Sequence, residues 1–308
     1  MLKNFIKRTL FILFAKITKN LPNDFVFKKY LNHFFYYKKC QKIYNFNSQT
    51  YKNNYSFKDV FGNIGYLHIN TDLSNNIATN IFNKIKKNTE FYFNAEGLFI
   101  RGCPFKNFPE LKTLLINELD FFFKSILESN YKIYEVRVYR STYSGKVETG
   151  SELPHTDSEP APSLKCQYVI SETNEDNAMS LIRWDQTIEI LQKQFKIFLI
   201  NKGDKLKDRE KIRKLKVNIF KEILSEKKYR SYKPIPQKNG LLYFFNNNTL
   251  HWGGNLKEKN NERIVITFRV HCDHKDNLNN FFLESDKFTS REKHYFKIPK
   301  EFKIFQNY

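Results

Sequence analysis

The chain predicts an α+β protein, mainly antiparallel β, in which a roll of strands is flanked by helices and interrupted by a helical insertion. Three observations lead there. Beyond Asn130, short apolar segments with strand-like alternation are separated by polar or glycine-marked loops. No alternating β–α rhythm of the kind that builds a parallel sheet runs through them. A basic stretch with helical periodicity interrupts them at residues 187–232. With 308 residues, 41% hydrophobic and 17% aromatic, the chain can bury one sizeable core.

In order, residues 1–57 read as an N-terminal basic helical extension without a chemical motif, and residues 62–70 as a short strand. Thr71-Asp72-Leu73-Ser74 then supplies N-cap candidates for a helix through Ile81, Ile85 and Lys87. A second helix starts after Pro109, where Leu111, Leu114, Leu115, Leu119, Phe122 and Phe123 fall at helical spacing. Strands are expected at 131–143, 153–157, 164–171, 180–184, 240–246 and 263–270, with a polar loop at 145–150. In the insertion, Ile188, Leu191, Phe195, Ile212, Leu215, Ile219 and Ile223 alternate with Lys and Arg. The expected organisation is the extension, one domain over 58–275 that carries the insertion at 187–232, and a C-terminal tail at 276–308.

The formal charge of +20 invites a nucleic-acid or membrane reading, but 41 of the 52 basic residues are Lys, amid abundant Asn, Ile, Phe and Tyr. An AT-rich genome encodes that mixture, and a basic balance by itself speaks to solubility and association rather than to fold. No nucleic-acid motif accompanies it, so nucleic acid is not the expected partner. Cys40, Cys103, Cys166 and Cys272 are far apart and form no CxxC pair, which reads as reduced, cytosolic thiols. No apolar run reaches the roughly 18–20 residues of a membrane span. Residues 1–20 mix Lys3, Lys7, Arg8, Lys16 and Lys19 with Leu2, Phe5, Ile6, Leu10, Phe11, Leu13 and Phe14. Two readings of them stay open: peripheral contact of a basic amphipathic helix with a membrane surface, or a helix packed on the main domain. The expected location is the cytoplasm, with membrane association only under the first of these readings.

His-x-Asp occurs at 155–157, 271–273 and 274–276 in a chain with seven His, so the pattern alone decides little. His271 and His274 follow the last expected strand and enter a polar segment, which predicts a solvated loop. His155 and Asp157 instead sit on a short strand, where a two-residue offset puts both side chains on one face. A partner, His251, ends an apolar strand and an Asn-rich bend, Gly240-Leu241-Leu242-Tyr243-Phe244-Phe245-Asn246-Asn247-Asn248-Thr249-Leu250. Twelve residues later, Arg263 opens Ile264-Val265-Ile266-Thr267-Phe268-Arg269-Val270. Two His and one carboxylate can hold one face of a non-haem iron(II) ion and leave its other positions open. An Arg nearby can grip a carboxylate with two parallel hydrogen bonds. Arg269 shares the parity of Arg263 and competes for that role.

These ordered residues resemble the Fe(II)- and 2-oxoglutarate-dependent dioxygenases, most closely the phytanoyl-CoA dioxygenase-like branch, over roughly residues 60–270. Gly65-Tyr66-Leu67-His68-Ile69 and the capped helix behind it are similar to that family's entry segment. The resemblance implies a double-stranded β-helix, the jelly-roll or cupin-like core. It further implies Fe(II) held by His155, Asp157 and His251, 2-oxoglutarate and dioxygen as co-substrates, and Arg263 on the distal carboxylate of 2-oxoglutarate. Family members carry that Arg soon after the distal His, which favours Arg263 over Arg269. Tyr139 and Gln167 fall on strands that line the family's pocket, so they become further co-substrate candidates. The implied reaction couples oxidative decarboxylation to substrate hydroxylation, and a carboxylate at 157 argues against halogenation, for which relatives carry a small residue there. The chain departs from the family in its insertion and in the segment before Asp59, both of which bear on the substrate side.

Substrate identity is not legible. Lys202, Lys205, Lys207, Arg209, Lys211, Arg213, Lys214 and Lys216 read either as a lid attracting an anionic small molecule, lipid-linked molecule or sugar, or as the solvated face of a helical pair. Trp184 and Trp252 flank the motif segments as substrate contacts or as packing. The rival to an oxygenase is a non-catalytic, basic membrane- or nucleic-acid-associated protein with a jelly-roll fold.

Overall fold

One strand shows how the chain sorts its residues. In the computed structural model, Glu262–Cys272 alternates strictly: Ile264, Ile266, Phe268 and Val270 enter one large apolar core, while Arg263, Val265, Thr267 and Arg269 face the other way. The structure describes residues 60–61, 64–87, 104–142, 152–157, 163–201, 208–235, 239–254, 256 and 262–272. The N-terminal extension, the C-terminal tail, His274, the loop at 145–150, Lys202, Lys205, Lys207, Cys40 and Cys103 lie outside the described residues.

The elements are β1 (Tyr66–Ile69), α1 (Asp72–Lys87), α2 (Pro104–Asn107), α3 (Glu110–Leu114), a π-helical turn (Leu115–Leu119), α4 (Asp120–Leu127), β2 (Tyr131–Thr142), β3 (Leu164–Val169), β4 (Ser180–Ile182), α5 (Trp184–Ile200), α6 (Arg209–Leu224), β5 (Ser231–Tyr232), β6 (Leu242–Asn246), β7 (His251–Trp252) and β8 (Glu262–Cys272). A larger sheet runs β1-β6-β3-β8-β2 and a smaller one β5-β4-β7, every pairing antiparallel. From β3 onward the chain crosses repeatedly between the sheets: β3 lies in the larger sheet, β4 and β5 in the smaller, β6 in the larger, β7 in the smaller and β8 in the larger.

Helices α1, α3 and α4 cover the outer face of the larger sheet. Thr71 and Ser74 cap α1 reciprocally, each side-chain oxygen accepting the other's backbone N–H at 3.0 Å, an arrangement that stabilises a helix start by about 1 kcal/mol. Ile77, Ile81, Leu111, Leu115, Leu119 and Phe123 then pack onto Leu164, Cys166, Phe244 and Phe268. Phe123 meets Tyr131, Phe244 and Phe268 with ring centroids 5.1–6.3 Å apart, and each such ring contributes about 1.5–3 kcal/mol by leaving water. Gly240 stands at φ +101°, where a Cβ would come within 2.5 Å of the Ser74 carbonyl oxygen. The turn into β6 therefore requires glycine.

The insertion has its own core, in which Ile190, Leu191 and Phe198 of α5 pack on Ile219, Phe220 and Ile223 of α6. Asp208 caps α6 by accepting from Glu210 N at 2.8 Å and Lys211 N at 3.3 Å. Lys211, Arg213 and Lys214 are exposed, whereas Lys216 is buried. Trp184 and Trp252 serve packing: Trp184 is buried against Gly65, and Trp252 borders the insertion core. Across the edge, Tyr66 of β1 stacks flat on Tyr232 of β5 at 4.7 Å and joins the two sheets.

Four expectations need correcting. Residues 153–157 form a single β-bridge at His155 rather than a strand. Extended structure ends at Ile182 and helix begins at Trp184, because Trp184 N donates to Ile64 O at 2.8 Å and Asp185 occupies the first turn. The last residues assigned to the insertion, Ser231 and Tyr232, pair with β4. His271 does not lie in a solvated loop, since β8 continues through it and pairs it with Lys132, leaving its side chain buried.

Candidate metal centre

Backbone brings the two histidines together before their side chains matter. His155 N donates to His251 O at 3.0 Å and His251 N to His155 O at 2.9 Å, a doubly bonded antiparallel pair whose side chains leave on the same side. The rings stand 4.4 Å apart, and Phe245 packs edge-on to His251 at 5.1 Å. Two residues on, Asp157 N donates to Asn247 O at 3.1 Å.

The Asn-rich bend after β6 is the jig for this arrangement. Asn246, Asn247, Asn248 and Thr249 are all buried, so their backbone groups need partners inside the protein. Asn247 supplies them twice, its N–H donating to Ser163 O at 3.0 Å and its Oδ1 accepting from Ser163 N at 2.9 Å. Asn246 closes the turn by accepting Asn248 N on Oδ1 at 3.0 Å and Thr249 N on its carbonyl at 2.8 Å. Leu250 N donates to Thr187 Oγ1 at 3.2 Å, which ties the bend to the first turn of α5.

Each histidine is oriented in the same way. His155 Nδ1 lies 2.7 Å from Leu153 O, and His251 Nδ1 lies 2.7 Å from Thr249 O. A carbonyl oxygen only accepts, so each Nδ1 carries the proton and each Nε2 keeps its lone pair for a metal. One ligand atom from each of His155, Asp157 and His251 falls within 4.8 Å of the others. Among the described residues this is the one such group of His, Cys, Asp and Glu.

Electrostatics set the ionisation a metal needs. Burial drives the His251 pKa well below the ordinary histidine value, with the neighbouring His155 and Lys165 acting in the same direction and Asp157 against them, so the ring is neutral. Burial pushes the Asp157 carboxyl upward, but Lys165, Arg269 and the two histidines together outweigh it and hold it well below the usual carboxylate range. The two oxygens of Asp157 face different groups. Oδ1 lies 4.0 Å from His251 Nε2, and Oδ2 lies 2.8 Å from Lys165 Nζ.

The two candidate arginines share a face but not a position. Arg269 lies beside the triad with its Nε 2.8 Å from Glu135 Oε2, and Glu135 also pairs with Arg137. Arg263 lies toward the other end of β8, where its Nη1 donates to Asn177 O at 2.8 Å. Burial lowers its pKa, while Tyr243 and Glu152 act in the opposite direction. Among the described residues no carboxylate forms an ion pair with this buried guanidinium, whose remaining donors lie beyond the one given to Asn177 O. Between the two arginines, Thr267 is 1% exposed and its hydroxyl has no hydrogen-bond partner among the described residues.

Tyr139 and Gln167 fall on the same face, opposite Val265 and Thr267 respectively. Tyr243 donates to Gln167 Oε1, and Arg137 donates to the Tyr139 hydroxyl at 3.2 Å. Sequence reasoning missed Lys165 and Thr267. Their signal was parity: Lys165 shares the inner face with Gln167, and Thr267 with Arg263.

No family model matches the chain, and no curated protein does. Among solved structures, similarity is partial and at low identity. The non-heme alpha-ketoglutarate-dependent carbocyclase SnoK from nogalamycin biosynthesis is 14% identical, covering 68% of this chain and 80% of that one at a TM-score of 0.41. HygX from Streptomyces hygroscopicus with iron bound is 11% identical, covering 69% and 84% at a TM-score of 0.43. EctD from S. alaskensis with 2-oxoglutarate and 5-hydroxyectoine is 13% identical, covering 69% and 74% at a TM-score of 0.43.

Proposed function

We propose that the protein is an Fe(II)- and 2-oxoglutarate-dependent oxygenase on a double-stranded β-helix core, a relative of the phytanoyl-CoA dioxygenase-like branch that hydroxylates a small or lipid- or sugar-linked anionic substrate. The observation that carries this reading is the convergence of His155, Asp157 and His251 with both Nδ1 atoms tied to carbonyls. Two neutral nitrogens and one carboxylate oxygen are the donor set of non-haem iron(II), and the remaining coordination positions are left to small molecules. The repeated crossing of the chain between the two sheets from β3 to β8 supports a double-stranded β-helix core.

The co-substrate fits the remaining inner face. Arg263 offers a planar guanidinium to a distal carboxylate: Nη1 donates to Asn177 O, and its other donors have no ion-pair partner among the described residues. The buried hydroxyl of Thr267 supplies a polar contact on the way to the triad. Tyr243, Phe245, Val169, Met179, Leu181 and Val265 form an apolar lining that excludes water. Bound there, iron with 2-oxoglutarate and dioxygen supplies the oxidation, yielding succinate, carbon dioxide and a hydroxylated product. Arg137, Lys165, Arg263 and Arg269 on this face are set against Glu135 and Asp157 among the described side chains, a balance that favours an anionic substrate.

Anaerobic titration with iron(II) and 2-oxoglutarate tests the reading. The chain should develop a weak visible charge-transfer band that His155→Ala abolishes, and aerobic incubation should release succinate. A folded, metal-loaded protein with neither band nor succinate would overturn it.

A further inference from the structure

We propose that Lys165 is a positioning residue for the metal centre: its ammonium holds Oδ2 of Asp157 so that only Oδ1 is presented to the metal. The inference rests on the oxygenase reading and adds to it a residue that controls how many coordination positions stay open.

Lys165 lies on β3 opposite Phe245 of β6 and Arg269 of β8, so it has neighbours on both sides of the inner face. Its side chain is 7% exposed, and its Nζ stands 5.3 Å above the centre of the Phe245 ring. A lysine in such a setting leaves water only against a strong partner. That partner is Asp157 Oδ2, at 2.8 Å, within a carboxylate only 12% exposed. The other oxygen is turned toward His251 Nε2 at 4.0 Å, so the carboxylate is divided between one protein cation and one metal-facing edge. Arg269, whose charge also acts on Asp157, has its Nε 2.8 Å from Glu135 Oε2, while Lys165 Nζ stands 2.8 Å from Asp157 Oδ2.

The consequence is steric and electronic. A carboxylate with both oxygens free can close on a metal through both and occupy a position that a bidentate 2-oxo acid and dioxygen need. With Oδ2 held by an ammonium, closure through both oxygens costs the ion pair. Groups of this kind around a metal ligand are worth about 10–100-fold in affinity or activity.

The test uses the full chain and cobalt(II), a spectroscopically visible stand-in for iron(II), followed by 2-oxoglutarate. The unaltered chain should bind cobalt(II), and its cobalt spectrum should change on adding 2-oxoglutarate. Lys165→Met, which keeps an unbranched apolar stem, should still bind cobalt(II) but respond to 2-oxoglutarate about 10-fold more weakly or worse. Lys165→Arg should restore the response. If circular dichroism shows Lys165→Met to be unfolded, Lys165→Gln is judged by the same criterion. An unchanged response in the neutral variant overturns the positioning role and leaves the oxygenase reading standing. Cobalt binding by the Met variant but not by the unaltered chain overturns both, because Lys165 would then stand where a metal should. No binding by either overturns the oxygenase reading itself.

Discussion

His251 makes the apo-protein acid-sensitive by an amount that can be worked out. It is 3% exposed, its Nδ1 donates to Thr249 O, and burial, with His155 and Lys165 acting in the same direction, keeps it neutral in the folded chain. An unfolded chain protonates histidine at about pH 6.5. Because the folded pKa is depressed, the unfolded state binds the extra proton as pH falls below that value, and stability is lost in the acid direction at about 1.4 kcal/mol per pH unit. Between pH 7.5 and 5.0 the loss approaches about 2 kcal/mol, the free energy of protonating one free histidine over that interval. An unfolding entropy of about 2.1 cal/mol/K per residue converts this to a Tm decrease of about 3 °C for a chain of this length. Asp157 does not confuse the window: its depressed pKa gives stability that fades only as pH falls below the ordinary carboxylate value of about 3.9. The assay is urea unfolding of metal-free protein at pH 7.5 and 5.0, comparing the unaltered chain with His251→Asn, whose amide can still donate to Thr249 O. The difference between the two should shift by about 2 kcal/mol across the interval. Parallel losses, with a shift below about 0.5 kcal/mol, would refute the claim that the fold holds His251 neutral.

Other consequences are more local. Arg263→Lys should raise the KM for 2-oxoglutarate at least about 10-fold in a succinate-release assay, because a planar fork is lost, while Arg269→Lys, retaining a cation beside Glu135, should change it far less. Gly240→Ala should cost more than about 1 kcal/mol in urea unfolding, since φ +101° disfavours any side chain and the new Cβ meets Ser74 backbone at 2.5 Å. The Cys166 thiol is fully buried, and burial raises its pKa well above normal, so peptide mapping after native alkylation at pH 8 should find it unmodified and find it labelled only after denaturation.

The fold was legible where pattern and burial coincide. In β8 the alternation of Ile264, Ile266 and Phe268 with Val265 and Thr267 carries its own face assignment, and Thr71 with Ser74 announces the start of α1. It was less legible where one long-range contact decides. Trp184 could as well continue a strand, and what makes it helical is the bond from its N–H to Ile64 O, 120 positions away in sequence. Likewise, residues 153–157 look like a strand, but His155 gains only one bridge partner, because the loop must turn inward for Asp157 to reach Asn247.

The site shows why order in the sequence outperformed the motif. Three His-x-Asp copies are equivalent as letters, yet His155 differs from the others because a second histidine pairs with its backbone, and no three-residue pattern encodes that. His271 makes the contrast from the other side. It too is a buried strand residue on the inner parity of β8, but its cross-strand partner is Lys132, so its surroundings offer a cation where His155 finds His251. Arg263 and Arg269 repeat the lesson for charge. Parity places both on the inner face, and only the counter-ions separate them: Glu135 holds the one near the triad, while the other meets a backbone carbonyl. Metal-binding capacity on this scaffold is therefore set less by which ligands the chain contains than by which neighbouring strand presents a cation, a carbonyl or a second ligand to each of them.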